Sequence, residues 1–174
     1  MESYPFSPVY DKESKVLILG TFPSVKSREQ NFYYGHPQNR FWKVLSRVLE
    51  CDVPSTIEEK KKMLLEHHIA IWDVIKECEI KGSADSSIKN YTFNDMAKIT
   101  DCAKIKSVLL NGRAAQKFYE ESQKSKLMPS GACTEPVSNV ADIDTIYLPS
   151  TSPANAAWNL DRLYEEWKVI KKYI

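Results

Sequence analysis

The chain has 174 residues, of which 43% are hydrophobic and 27% charged, and its net charge is +1. That length suits one domain over residues 1–174 with a real core, and no apolar run approaches the roughly 20 residues of a membrane span. Near-neutrality neither demands nor excludes a nucleic-acid partner, because a local basic face would suffice.

In chain order, Met1-Glu2-Ser3-Tyr4-Pro5 lacks a secretory pattern, so an intracellular, cytoplasmic protein is expected. Val16 to Leu19 reads as the first strand. Arg40 to Glu50 places Phe41, Val44, Leu45 and Val48 on one helical stripe. Ser55-Thr56 followed by Glu58-Glu59 opens a helix that runs to Glu66. Further strands are predicted at Ile69 to Trp72, Val108 to Leu110 and Ile143 to Leu148, with helices at Phe93 to Ala103 and Arg113 to Glu121. A long helix is expected from Asn155 to the C-terminus, with Trp158, Leu163, Trp167 and Ile170 inward. The strands are rich in Val, Ile and Leu without strict alternation, which suits a sheet buried on both faces. Alternating strands and helices imply an α/β fold, a three-layer α/β/α sandwich around a four-stranded, mainly parallel sheet.

The cysteines Cys51, Cys78, Cys102 and Cys133 lie 27, 24 and 31 positions apart. Iron–sulfur sites usually show two close-spaced cysteines, so these read as reduced thiols. The pair His67-His68 and the single His36 give no metal-ligand spacing. Neither a metal nor another cofactor is expected, and the chain is expected to be a monomer.

The informative stretches are two loops that follow apolar strands. Val16-Leu17-Ile18-Leu19 runs into Gly20-Thr21-Phe22-Pro23-Ser24, and then Tyr33-Tyr34-Gly35-His36-Pro37-Gln38-Asn39-Arg40-Phe41-Trp42 follows. Far downstream, Ile146-Tyr147-Leu148 runs into Pro149-Ser150-Thr151-Ser152-Pro153-Ala154-Asn155. Ligands of open α/β sheets bind at the carboxyl ends of strands, so both loops are candidates for one site.

These residues resemble the uracil-DNA glycosylase superfamily, on its mismatch-specific (uracil/thymine) side. There a strand ends in Gly-x-Asn-Pro-Gly, and a block close to His-Pro-x-Asn-Arg-Phe-Trp-Lys-Val follows, as His36 to Val44 does here. Leu148-Pro149-Ser150-Thr151-Ser152-Pro153 is similar to the second motif of that family. The variant with Tyr-Tyr-Gly-His-Pro is most similar to the hypoxanthine-DNA glycosylase branch. The resemblance covers both ends of the chain and implies the same α/β/α fold.

It also implies roles. Tyr34 occupies the position of an aromatic that stacks on a flipped base, worth about 1–3 kcal/mol; the alternative is a core tyrosine, and the flanking loop residues Gly35-His36-Pro37 favour stacking. Phe22 departs from the family, which places Asp or Asn there to orient water; here it would line the substrate pocket. Asn39 is then the candidate to hold water, and it could equally be an N-cap for the helix beginning at Arg40. Asp73 stands where relatives read the base edge. A carboxylate accepts but cannot donate, so Asp73 would favour hypoxanthine or uracil, whose ring nitrogen carries a proton, over adenine or cytosine. The alternative is a solvated aspartate capping a turn. Asp85, in Gly82-Ser83-Ala84-Asp85, either shares that task or forms a polar loop.

Ser150 replaces the His or Asn that stabilises the departing base in other branches and can offer one O–H. Ser24, Thr151, Ser152, Ala154, Asn155 and Arg113 are expected on the DNA side, with Ala154 at the wedge position. A plain Ser/Pro turn with a cap is the alternative for the second loop. Lys26, Arg28 and Lys117 are weaker phosphate candidates, each more simply a solvated charge. The expected activity is a monofunctional DNA glycosylase that removes hypoxanthine or uracil and leaves an abasic site in base excision repair. The alternative is a catalytically inactive nucleic-acid-binding module of the same fold. A nucleotide-binding α/β protein is disfavoured because no Gly-rich phosphate loop is present.

Overall fold

The computed structural model describes residues 1–3, 5–127 and 143–174. Its centre is a four-stranded parallel sheet built from β2 (Val16–Gly20), β3 (Ile69–Asp73), β6 (Ser107–Asn111) and β7 (Asp144–Leu148), in the order β3-β2-β6-β7. Every residue of β2, β3 and β6 is buried, as expected of strands covered on both faces. β3 lies at one edge, and Val9 covers it through paired backbone bonds with Ile71 at 3.1 and 2.9 Å. β7 forms the other edge and is mostly exposed. Leaving β2, the chain adds β3 on one side and then β6 on the other. The strand order therefore reverses beside β2, where ligand crevices of open α/β sheets form.

The helices are α1 (Val25–Gln30), α2 (Phe41–Leu49), α3 (Ile57–Glu66), α4 (Ala97–Thr100), α5 (Arg113–Leu127) and α6 (Leu160–Trp167). α2 buries Phe41, Val44, Leu45 and Val48, the stripe read from its spacing. It packs on α6, where the Phe41 and Trp167 rings meet edge to face at 5.7 Å. α3 opens with a capping box, Thr56 accepting from Glu59 N and Glu59 reaching back to the Thr56 N–H.

Three expectations need correction. The last helix starts at Leu160, capped by Asn159, and after Trp167 tightens into a 3₁₀ turn, Lys168–Lys172. Trp158 precedes it and is half-buried. The helix expected over Phe93 to Ala103 shrinks to α4, because Phe93 ends a strand. That strand, β5 (Lys89–Phe93), pairs antiparallel with β4 (Ile75–Glu79), and β4 pairs with β1 (Glu2–Ser3) in a separate three-stranded sheet. The helix α1 was not expected. Cys133 lies outside the described residues; Cys51, Cys78 and Cys102 are free thiols.

Candidate active site

A cleft of about 310 Å³ opens at the carboxyl ends of the parallel strands. Its floor begins at Gly20, in register with Asp73 on the neighbouring strand. Only glycine fits there. A Cβ at position 20 would lie 2.2 Å from Asp73 Oδ1 and 3.1 Å from the Tyr34 hydroxyl, so the missing side chain lets both groups close over the strand end. Asp73 is 5% exposed, which corrects the solvated-turn alternative. Its backbone carbonyl accepts a 3.0 Å bond from Asn94 Nδ2, and Asn94 also donates to Ile75 O at 3.2 Å. That buried amide fixes where β3 hands over to β4.

Beyond Gly20, Phe22 is buried and its ring lies 5.7 Å from the Arg28 guanidinium. Arg28 also donates to Pro23 O at 2.9 Å. Ser24 caps α1 by accepting from Ser27 N. The chain then turns through Tyr34 in the left-handed region, φ 51°. One face of the Tyr34 ring stacks on Phe41, centroids 3.9 Å apart at 18°. The residue is half-buried and lines the cleft. Its hydroxyl, at the buried end, makes no hydrogen bond of normal geometry. Burial drives the phenol far above its ordinary range, the charges of Asp73 and Asp85 push the same way, and the nearby Asn111 amide opposes them.

Asn39 ties the two loops together. Its Oδ1 accepts from Phe41 N at 3.0 Å and from the Thr151 hydroxyl at 3.0 Å. Asn111, the last residue of β6, donates from Nδ2 to Thr151 Oγ1 at 3.1 Å and accepts from Thr151 N at 3.1 Å. The helix-start reading of Asn39 thus holds in part: Oδ1 satisfies one orphan N–H of α2, while the residue also lines the cleft. Next to it, Arg40 clamps the second loop. Its guanidinium donates to the carbonyls of Thr151 at 3.3 Å, Ser152 at 2.6 Å, Asn155 at 3.1 Å and Trp158. Its own N–H donates to Thr151 O at 3.1 Å.

The second loop is shaped by its own side chains. Ser150 Oγ accepts from Ser152 N at 3.2 Å, Ser152 Oγ from Ala154 N at 3.3 Å, and Ser150 O from Asn155 Nδ2 at 2.9 Å. Gly112, at φ 98°, lets β6 turn away under Ser150; a Cβ there would meet Ser150 Cβ at 3.0 Å. The opposite wall comes from the β4–β5 connection. Ser83 accepts from Val25 N at 3.0 Å, and Asp85 bonds the Thr21 side chain. Burial pushes the Asp85 carboxyl up to about 6, the Thr21 bond opposing it.

The cleft therefore brings together Phe22, Ser24, Tyr34, Asn39, Asp73, Asp85, Ser150, Thr151, Ser152 and Ala154. Thr151 was expected to face DNA, yet it is fully buried with its hydroxyl committed to Asn39 and Asn111. Asn155 and Arg113 lie outside the lining. Arg113 is exposed over the Tyr147 ring at 5.3 Å. Lys26 and Lys117 pair with Glu29 and Glu121. Sequence reasoning missed Asn111, Thr21, His36 and Ser83, which also line the cleft. Asn111 had a usable signal, a polar residue closing an apolar strand next to β2. Among the described residues no group of three His, Cys, Asp or Glu could hold a metal, and no helix is long and apolar enough to cross a membrane.

Comparison with known proteins adds a family. The chain is 30% identical over 170 residues to a hypoxanthine DNA glycosylase of Methanosarcina acetivorans, covering 97% of each chain. It is 31% identical over 157 residues to a hypoxanthine DNA glycosylase of Methanosarcina barkeri, covering 89% of each. A solution NMR structure from Methanosarcina acetivorans, provisionally named a uracil DNA glycosylase, superposes with a TM-score of 0.75 at 28% identity, over 96% of this chain and 95% of that one. The family model of the uracil DNA glycosylase superfamily matches residues 7–172, and the chain belongs to that superfamily.

Proposed function

We propose that this protein is a monofunctional DNA glycosylase that removes a deaminated base, hypoxanthine or uracil, flipped from its strand into the cleft, and leaves an abasic site. The observation that carries the reading is the meeting, in one cleft of a superfamily member, of the Asn39 amide, the Asp73 carboxylate and an aromatic face on Tyr34. With one face of Tyr34 packed on Phe41, the other is available to a base. The Asp73 carboxylate has several lone pairs and reads the ring N–H that deamination creates. The names of the two Methanosarcina relatives favour hypoxanthine, as does Phe22, which brings no water-orienting group.

The reaction balances without a cofactor. The C1′–N bond breaks and its electron pair leaves on the base. The oxygen of a water held by Asn39 bonds to C1′. One proton passes from that water to the base, giving free base and the sugar hemiacetal. Donors placed for the departing anion supply the rate, with Ser150 contributing its single O–H. DNA is the partner; Ser24, Ser152, Ala154, Asn155 and Arg113 remain proposed contacts to it.

The test uses oligonucleotides carrying hypoxanthine, uracil, xanthine or a G·T mismatch, incubated and then treated with alkali to cut at abasic sites. Cleavage at hypoxanthine or uracil is expected, and Asn39→Ala is expected to lower single-turnover excision by about 10²-fold or more. Binding without base release from any substrate would overturn the reading in favour of an inactive module.

A further inference from the structure

We infer that Thr151 and Asn111 are positioning residues that lock the Asn39 amide, so that Asn39 acts in the cleft as a hydrogen-bond donor alone; this rests on the glycosylase reading above. The orientation of each group follows from the one before it. The Thr151 backbone N–H can only donate, so the Asn111 atom facing it at 3.1 Å is Oδ1. The other arm of Asn111 is then an NH₂, and it donates to Thr151 Oγ1 at 3.1 Å. A hydroxyl has one hydrogen. With Asn111 donating to it, the Thr151 hydroxyl spends its own hydrogen on Asn39 Oδ1 at 3.0 Å. The Phe41 backbone N–H, also 3.0 Å from Oδ1, fixes the same orientation independently.

The relay therefore runs one way, from Asn111 through Thr151 to Asn39. Thr151 is fully buried and Asn111 is 8% exposed, so water competes poorly for these bonds and each polarises the next. Both lone pairs of Asn39 Oδ1 are taken. Its Nδ2 has no protein partner among the described residues. In the cleft that Asn39 lines, it presents N–H groups and no acceptor. Such an amide holds a water through one oxygen lone pair, leaving the second to attack C1′, but it cannot take the proton of that water. A carboxylate in its place would accept and could not donate.

Two pairs of variants test this in single-turnover excision of hypoxanthine. Asn39→Asp keeps both acceptor bonds and loses the donor; it is expected to be as inactive as Asn39→Ala. Thr151→Val keeps the shape and removes the hydroxyl. It is expected to slow excision roughly 10- to 100-fold, the scale of one lost buried hydrogen bond felt by a preorganised donor. Binding to an oligonucleotide with a non-cleavable 2′-fluoro hypoxanthine nucleotide should stay within about 3-fold, because the lock acts on rate rather than on affinity. Thr151→Ser should restore the rate to within about 3-fold, since it returns the O–H. In ¹⁵N NMR, the two side-chain amide protons of Asn39 should change shift and exchange faster in Thr151→Val, and recover in Thr151→Ser. Asn39→Asp with near-wild-type excision, or Thr151→Val with unchanged rate and unchanged Asn39 resonances, would overturn the inference. If the wild-type protein releases no base, the glycosylase reading falls and the NMR arm alone decides the lock.

Discussion

The wall of the cleft built from the two motif loops is held by bonds between residues 111 to 118 positions apart, from Asn39 and Arg40 to Thr151, Ser152, Asn155 and Trp158. The facing wall, the connection between β4 and β5, reaches the first loop through Ser83 with Val25 and Asp85 with Thr21. One wall is over-determined and the other lightly tied. Groups that must meet a reacting atom within a fraction of an ångström need the first kind of support. A wall that adapts to the outline of a base needs only the second. If the cleft removes a base as proposed, the loop wall would set the rate, and the hairpin wall and the floor beneath it would share in the choice of base.

The hardest way to break this contrast is to cut the clamp. Arg40→Met removes donors to four carbonyl oxygens. The expected loss is about 3 kcal/mol of unfolding free energy, since hydrogen bonds to charged groups are worth about 1.5–3 kcal/mol each and do not add fully. Excision should fall below detection. Urea denaturation reads the first and single-turnover kinetics the second; a stable, active Arg40→Met would show that the wall stands without its clamp.

A smaller change is expected at the floor. Asp73→Asn should keep most of the turnover and lose discrimination, excising from adenine-containing controls roughly ten- to a hundred-fold more readily relative to hypoxanthine, the worth of one charge-assisted bond. The ratio of rates on matched oligonucleotides decides it. An unchanged ratio would pass the base edge to Asp85 or to backbone groups. Phe22→Asn restores the polar group usual in uracil-active members and should raise uracil excision relative to hypoxanthine; a folded variant with the same ratio would leave Phe22 as a shaper of the pocket.

The smallest change concerns the lightly tied wall. Asp85 titrates near 6, above its ordinary 3.8, because burial disfavours the charged form. A raised carboxyl costs the folded state stability above about pH 6, and that cost fades as pH falls toward 3.8. Asp85→Asn should therefore stabilise the protein by about 1–2 kcal/mol at pH 8 and change little at pH 4. Denaturation at both pH values gives the answer, and equal effects at the two would mean a carboxyl in water.

What was legible in the sequence follows the same division. The buried parallel strands read plainly because each is a continuous apolar run. The motif loops read plainly because their spacing is specific; Asn39, Tyr34, Asp73, Asp85 and Ser150 all line one cleft. The hairpin did not read, because Ile75–Glu79 and Lys89–Phe93 are half-exposed and carry charges on their open face. α1 is only Val25–Gln30 and is polar throughout after its first residue. Asn111 carried a local signal, a polar residue closing an apolar strand, but its place in the site is topological: the strand order β3-β2-β6 brings it beside the first motif. Thr151 was misread for a related reason. A hydroxyl in a Ser/Pro loop looks solvent-facing until Arg40 pulls the loop inward.

The long reach of that clamp also bears on when the cleft comes into being. Closing a loop costs more entropy as it lengthens, so contacts across more than a hundred residues form after local ones. During synthesis β2, β3 and β6 emerge long before Thr151. A chain that has made three strands of its sheet still has an Asn39 amide free to rotate and no second loop over the floor. The assembled cleft is thus gained only with the segment that carries Thr151, and pulse-labelled hydrogen exchange during refolding should show the Thr151 N–H protected later than that of Ile18.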